Sequence, residues 1–270
     1  MSTTQQRLES LTQKWWFYLI LLVLFFLPSY SSLPFDPRKT SDLITAVLSK
    51  PLIYSIPALM PLFKLLPVLL VLALVIWGDR LTRLFDLYAA MTILLFALFQ
   101  NMARTHVFGF AVLTGNVMVY LLVSLIWFWE AGIKTNVLTF RRQSLWRYWV
   151  VPVAFLAFWF PVNPVSLGPE FSLAQLLNNS AGLTLCMMLP VYLAVLTLCY
   201  PTVNRPVLRI TSFAGMITAL LNVLQWFFLA FQPWMGILHL PLLTISLYGW
   251  ILSRKPKPGS GTANRERSSL

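Results

Sequence analysis

Charge is scarce in this sequence. Only 10% of its 270 residues are charged, where a soluble domain carries about 25%. That leaves too little polar surface to cover a globule in water, so lipid is expected as the solvent. Acidic side chains are scarcer still, 8 Asp and Glu against 20 Lys and Arg.

Other absences narrow the function. The chain has no Gly-rich phosphate loop, no His-Glu-x-x-His zinc motif and no Gly-x-Ser-x-Gly elbow. With only two histidines, His106 and His239, metal-ligand spacing is missing and no cofactor is expected. A haem held axially by that pair is the one cofactor arrangement the sequence allows. The two cysteines, Cys186 and Cys199, fall on nearly opposite faces of a helix at about 100° per residue, so they do not bridge. They read as small packing residues. Carboxylates at membrane depth are limited to Asp86 and Glu130, too few for the acid-rich sites of intramembrane proteases or lipid phosphatases.

What the chain has is apolar length: 58% of its residues are hydrophobic. A bilayer core takes about 20 apolar residues per helix. Runs at about 15–33, 57–78, 84–103, 110–130, 148–166, 181–201, 210–231 and 234–252 meet that need. The expected fold is an all-α integral membrane protein of about eight transmembrane helices. Residues 1–14 form an N-terminal tail, 15–252 the transmembrane domain, and 253–270 a flexible basic tail. No small-x-small cleavage site follows the first apolar run, which therefore reads as a retained helix and not a signal peptide.

The basic residues test this parsing. With the N-terminus inside, fifteen of them fall in inner segments: Arg7, Lys14, Arg80, Arg83, Lys134, Arg141, Arg142, Arg147, Arg205, Arg209, Arg254, Lys255, Lys257, Arg265 and Arg267. Only Arg38, Lys39, Lys50 and Arg104 fall outside, and Lys64 lies within a span. That asymmetry follows the positive-inside rule and puts both termini in the cytoplasm. Because the charge of +12 tracks topology and forms no single patch, a nucleic-acid partner is not expected. Eight tryptophans near inner ends and three near outer ends mark the two headgroup levels. Compact loops favour a bacterial inner membrane.

Two outer loops carry amphipathic segments, one after Ser41-Asp42 and one with Phe171, Ala174 and Leu177 at helical spacing. Phe25-Phe26-Leu27-Pro28 resembles Phe158-Trp159-Phe160-Pro161, and Met91-Thr92-Ile93-Leu94-Leu95 resembles Ile217-Thr218-Ala219-Leu220-Leu221. The offsets of 133 and 126 residues suggest two parallel four-helix repeats, 15–133 and 146–252.

Polar groups at membrane depth are costly, so they point to function. Gln100, Asn101, Arg104, His106, Asn116, Asn222, Gln225 and His239 all map to the outer half. If their helices face one another, they line a polar cavity for a small-molecule or lipid-like ligand. Arg104 would draw an anionic group and the amides would orient it. Gly109 and Gly115 permit close approach there, and prolines 57, 61, 67, 153, 190 and 241 can free carbonyls towards it. Glu130 is expected to pair with Lys134 at the inner surface.

The leading expectation is thus a non-enzymatic multi-pass protein, binding or transporting a small or amphipathic molecule. A second reading is a membrane anchor or assembly subunit of a quinone-linked complex, its basic loop from Lys134 to Arg147 docking an acidic protein partner. A third is an enzyme acting on a lipid-linked substrate, with His106 or His239 as acid–base.

Overall fold

A computed structural model describes residues 3–55, 60–140 and 143–255. The expected basic tail beyond Lys255, the kink at Pro57, and Arg141 and Arg142 lie outside the described residues. Of the described residues, 74% are helical. In order, its principal elements are α1 Thr3–Leu11, α2 Trp15–Phe25, β1 Tyr30–Ser31, α3 Thr40–Ser49, α4 Met60–Trp77, α5 Thr82–Leu95, β2 Met102–Thr105 and β3 Gly109–Val112. There follow α6 Thr114–Ile133, α7 Val150–Trp159, α8 Leu173–Leu177, α9 Leu185–Leu198, α10 Arg205–Leu224 and α11 Pro233–Arg254.

Among the described residues, four helical stretches are long and apolar enough to cross a membrane: Met60–Gln100, Thr114–Ile133, Arg205–Leu229 and Pro233–Arg254. Two bent pairs raise that number to six, α1 with α2 at 74° and Leu173–Leu183 with α9 at 92°. The stretch Leu145–Trp159 is apolar but shorter. This is a membrane-embedded helical protein.

Several expected spans stop early, each for a local reason. Helix α7 ends where Phe160 turns left-handed at φ 52°, and Pro161 then prevents its resumption. Helices α5 and α10 each finish in a π-helical turn, Phe96–Gln100 and Gln225–Leu229. Such a turn shifts the register of the residues beyond it, and it is frequent at functional sites.

Beyond the first π turn the chain forms a small antiparallel sheet of order β1-β3-β2, with Tyr30 opposite Val112 and Arg104 opposite Phe110. Leu43 and Val47 of α3 bury themselves against Ala103, Phe108 and Ala111 of this sheet. The sheet defines one end of the bundle, the sheet end. At the other, the tail end, α1 docks rather than hanging free. Arg209 of α10 donates to Thr12 Oγ1 at 3.2 Å and to Ser253 O at 2.8 Å, tying both ends of the chain to one helix.

Lys64 is the one buried lysine among the described residues, with 1% of its surface exposed. Its Nζ donates to Phe158 O and lies 3.4 Å from Trp159 O, the final carbonyls of α7. Those carbonyls lack intrahelical partners, and the lysine amino group supplies the donor they need. The lysine thus staples α4 to α7 and does not snorkel. Lys64→Met is expected to lower stability by about 2 kcal/mol, the scale of leaving buried carbonyls without a donor, read as a reduced thermal midpoint by circular dichroism in micelles.

Candidate functional site

Near the sheet end, α6, α9, α10, α11 and the π turn after α5 surround a cavity of about 120 Å³. Five of the eight residues singled out from the sequence line it: Gln100, Asn101, Asn116, Asn222 and His239. Gln225 lines an adjoining lobe of about 350 Å³, which shares Leu48, Asn116, Tyr120, Thr218 and Asn222 with the first. Arg104 and His106 belong to the exposed β2–β3 hairpin and line neither space. The chain leaves the helix axis after Gln100, and the hairpin carries both side chains outward. The two histidines therefore share no site.

Each polar group is positioned by a bond to the backbone or to its neighbour. Gln100 Oε1 accepts from Leu185 N at 2.9 Å, capping the first turn of α9. Asn101 Nδ2 donates to Phe96 O at 2.9 Å, closing the π turn. Asn116 Nδ2 then donates to Asn101 Oδ1 at 2.9 Å, joining α6 to that turn. Asn222 Nδ2 donates to Thr218 O at 2.8 Å, and the Thr218 hydroxyl lies 3.0 Å from Tyr120 Oη. His239 Nδ1 is 2.7 Å from Met235 O, so in a neutral ring Nδ1 holds the hydrogen and Nε2 is an acceptor. The imidazole stacks on Trp226, centroids 6.4 Å apart.

These bonds decide what the cavity offers. Asn222 spends its amide donors on Thr218 O and Cys186 Sγ, and Asn116 spends one of its two on Asn101, which leaves their Oδ1 atoms, with His239 Nε2, as acceptors for a guest. Tyr54 also lines the space, and burial pushes its phenol above the ordinary range, with a hydrogen bond from Ser180 opposing that shift. It therefore stays a neutral hydroxyl. Among the described lining residues none carries a fixed charge. The chemistry is that of a neutral, amide-lined pocket, suited to hydroxyl, amide or amine groups.

The second lobe differs. Phe25, Phe26 and Leu27 at the end of α2, Ile44 and Leu48 of α3, and Leu221 and Leu224 of α10 give it apolar walls. A further groove of about 330 Å³ between α4, α7 and α9 is lined by aliphatic and aromatic side chains, with Tyr148 at one edge.

A second polar constellation occupies the tail end, and sequence reading missed most of it. Glu130 does not pair with Lys134, whose side chain is exposed. Instead its carboxylate accepts from Thr135 N at 2.7 Å, Thr135 Oγ1 at 2.8 Å, Asn136 N and Asn204 Nδ2. Asn136 and Asn204 sit in loops, where an asparagine is ordinarily a turn residue. The one available signal was that each lies within a few residues of a helix end and of a basic residue, Lys134 or Arg205.

Comparison with protein-family models, with curated proteins and with solved structures finds no match for this chain.

Proposed function

We propose that this protein binds or translocates a small or amphipathic molecule through the cavity at the sheet end. The carrying observation is the pairing of two unlike spaces. Acceptors on α6, α10 and α11 converge on one compartment, and an apolar lobe adjoins it through Asn116 and Asn222. A ligand with hydroxyl, amide or amine donors and an apolar portion matches both. The absence of a charged group among the described lining residues favours a neutral head over an anionic one.

In this reading the chain crosses the membrane eight times, in two four-helix repeats, with the sheet end outward and the termini cytoplasmic. Met60–Gln100 spans 41 residues, about 60 Å of helix and twice a bilayer core. Gly78, at φ 58°, is a natural break between two spans there. Helices α2 and α9, with 11 and 14 residues, and the 15-residue stretch Leu145–Trp159 complete the count as short spans that the bilayer accommodates by thinning. The repeat is supported by element order. In each half a helix leads to a short helix, a 3-10 turn, a helix, a second helix ending in a π turn, and a final helix. Basic residues at the tail end support the orientation.

Native mass spectrometry of gently purified protein tests the site. A retained small molecule or lipid is expected, and Asn116→Leu with Asn222→Leu should reduce its retention at least about tenfold, the loss of one good hydrogen bond. Arg104→Ala, on the exposed hairpin, should leave retention unchanged. Equal retention by the double variant and the wild type would place the ligand elsewhere.

A further inference from the structure

The tail-end constellation holds two carboxylates, Asp86 on α5 and Glu130 on α6, each 0% exposed. They are treated very differently. Glu130 receives four donors, the complement of an ionised carboxylate acting only as acceptor. Asp86 receives one: Asn136 Nδ2 donates to its Oδ1 at 2.9 Å. Its Oδ2 is buried with no partner, and so is Asn204 Oδ1 in the same network. Asn204 is fixed there by its own bonds, its N to Asn136 Oδ1 at 2.6 Å and its Nδ2 to Glu130.

Asp86 Oδ2 and Asn204 Oδ1 are thus two buried acceptors with no donor among the described residues. An ionised carboxylate buried on one hydrogen bond would carry a large desolvation cost. The charged neighbours make it worse. Those acting on Asp86 are Glu130 and Asp79, both anionic. The nearest basic side chains on its own segment, Arg80 and Arg83, are exposed. The phenols of Tyr88 on α5 and Tyr192 on α9 lie further along and do not supply charge.

We propose that Asp86 is a proton-binding site, occupied at neutral pH and set beside an ionised Glu130. The bound proton makes Oδ2 a donor and removes one of two adjacent negative charges. Release to water leaves carboxylates on α5 and α6 repelling across Asn136. The loops 134–138 and 199–204, held together by Val137 N to Thr202 O at 3.0 Å and by this network, would then loosen. Proton loading closes a clamp at the tail end, and proton release opens it. This site is independent of the cavity ligand, so either assignment can fail alone.

Infrared spectroscopy of the full chain in lipid tests it. Wild type at pH 7 is expected to show a carboxylic-acid carbonyl band that shifts in D2O and fades as the pH is raised. Asp86→Asn is expected to lack that band. Because an amide NH2 replaces the acid OH at nearly the same size, the variant should also fold with a thermal midpoint at or above that of wild type. Three results would each overturn the assignment: no acid band lost in Asp86→Asn, failure of that variant to fold, or a midpoint that tracks sodium concentration and ignores pH. The last would make the occupant a metal cation.

Discussion

Asn136→Ala is expected to lower the thermal midpoint by roughly 10 °C, from a loss of about 3–4 kcal/mol. Three buried bonds meet at this one residue. Its Nδ2 serves Asp86 Oδ1 at 2.9 Å, its Oδ1 takes Asn204 N at 2.6 Å, and its backbone N serves Glu130. Alanine keeps only the last. Asn204 N and Asp86 Oδ1 are then left without partners in a place water does not reach. An unsatisfied buried group costs about 1–3 kcal/mol, well above the net value of the bond that was lost. The substitution also frees the loop after α6 from the loop before α10, so the damage should be local to the tail end. Thermal unfolding with hydrogen exchange checks both parts. A midpoint shift with exchange rising first in 134–138 and 199–204 is the expected pattern. A change of under about 0.5 kcal/mol, normal for a surface residue, would mean that water already satisfies these groups.

The sequence and the structure agree on which polar residues lie at one level of the bundle. Gln100, Asn101, Asn116, Asn222 and His239 come from well-separated parts of the chain. Placing each at one level of the membrane was enough to suggest a shared cavity, and all five line it. The long apolar helices were legible for the same reason, since apolar length is written directly in the chain. What failed was anything set by local backbone geometry. No periodicity announces that α5 ends in a π turn and that β2 begins at Met102. Arg104 and His106, expected to line the cavity, therefore lie on the exposed hairpin instead. The tail-end network was hidden for another reason. Asp86 and Glu130 were visible as rare carboxylates, but Asn136 and Asn204 look like ordinary loop residues. Only folding brings loops 68 positions apart into one hydrogen-bonded unit.

Gly115→Val is expected to cost about 3 kcal/mol and to abolish ligand retention. The first turn of α6 sits directly on the end of α2. A Cβ at residue 115 would stand 2.2 Å from Phe25 O and 2.8 Å from Leu24 O, far inside contact distance. Both obstacles are backbone, so no side-chain rotation relieves the clash, and α2 must move away from α6. Overpacking of this kind costs about 1–3 kcal/mol, sometimes more. The displacement reaches the site because Phe25, Phe26, Gly115 and Asn116 all line the apolar lobe. Gly132→Ala in the same helix is the control. Nothing lies within 4 Å of a Cβ there, and alanine should stabilise that helical position by up to about 1 kcal/mol. A valine at 115 that destabilises but still retains ligand would show that the lobe is not part of the binding site. The polar compartment alone would then hold the guest, which must be small and without a tail. A valine that removes the ligand while the bundle stays folded would tie the apolar portion of the ligand to the contact between α2 and α6, and so settle the amphipathic reading over the merely polar one.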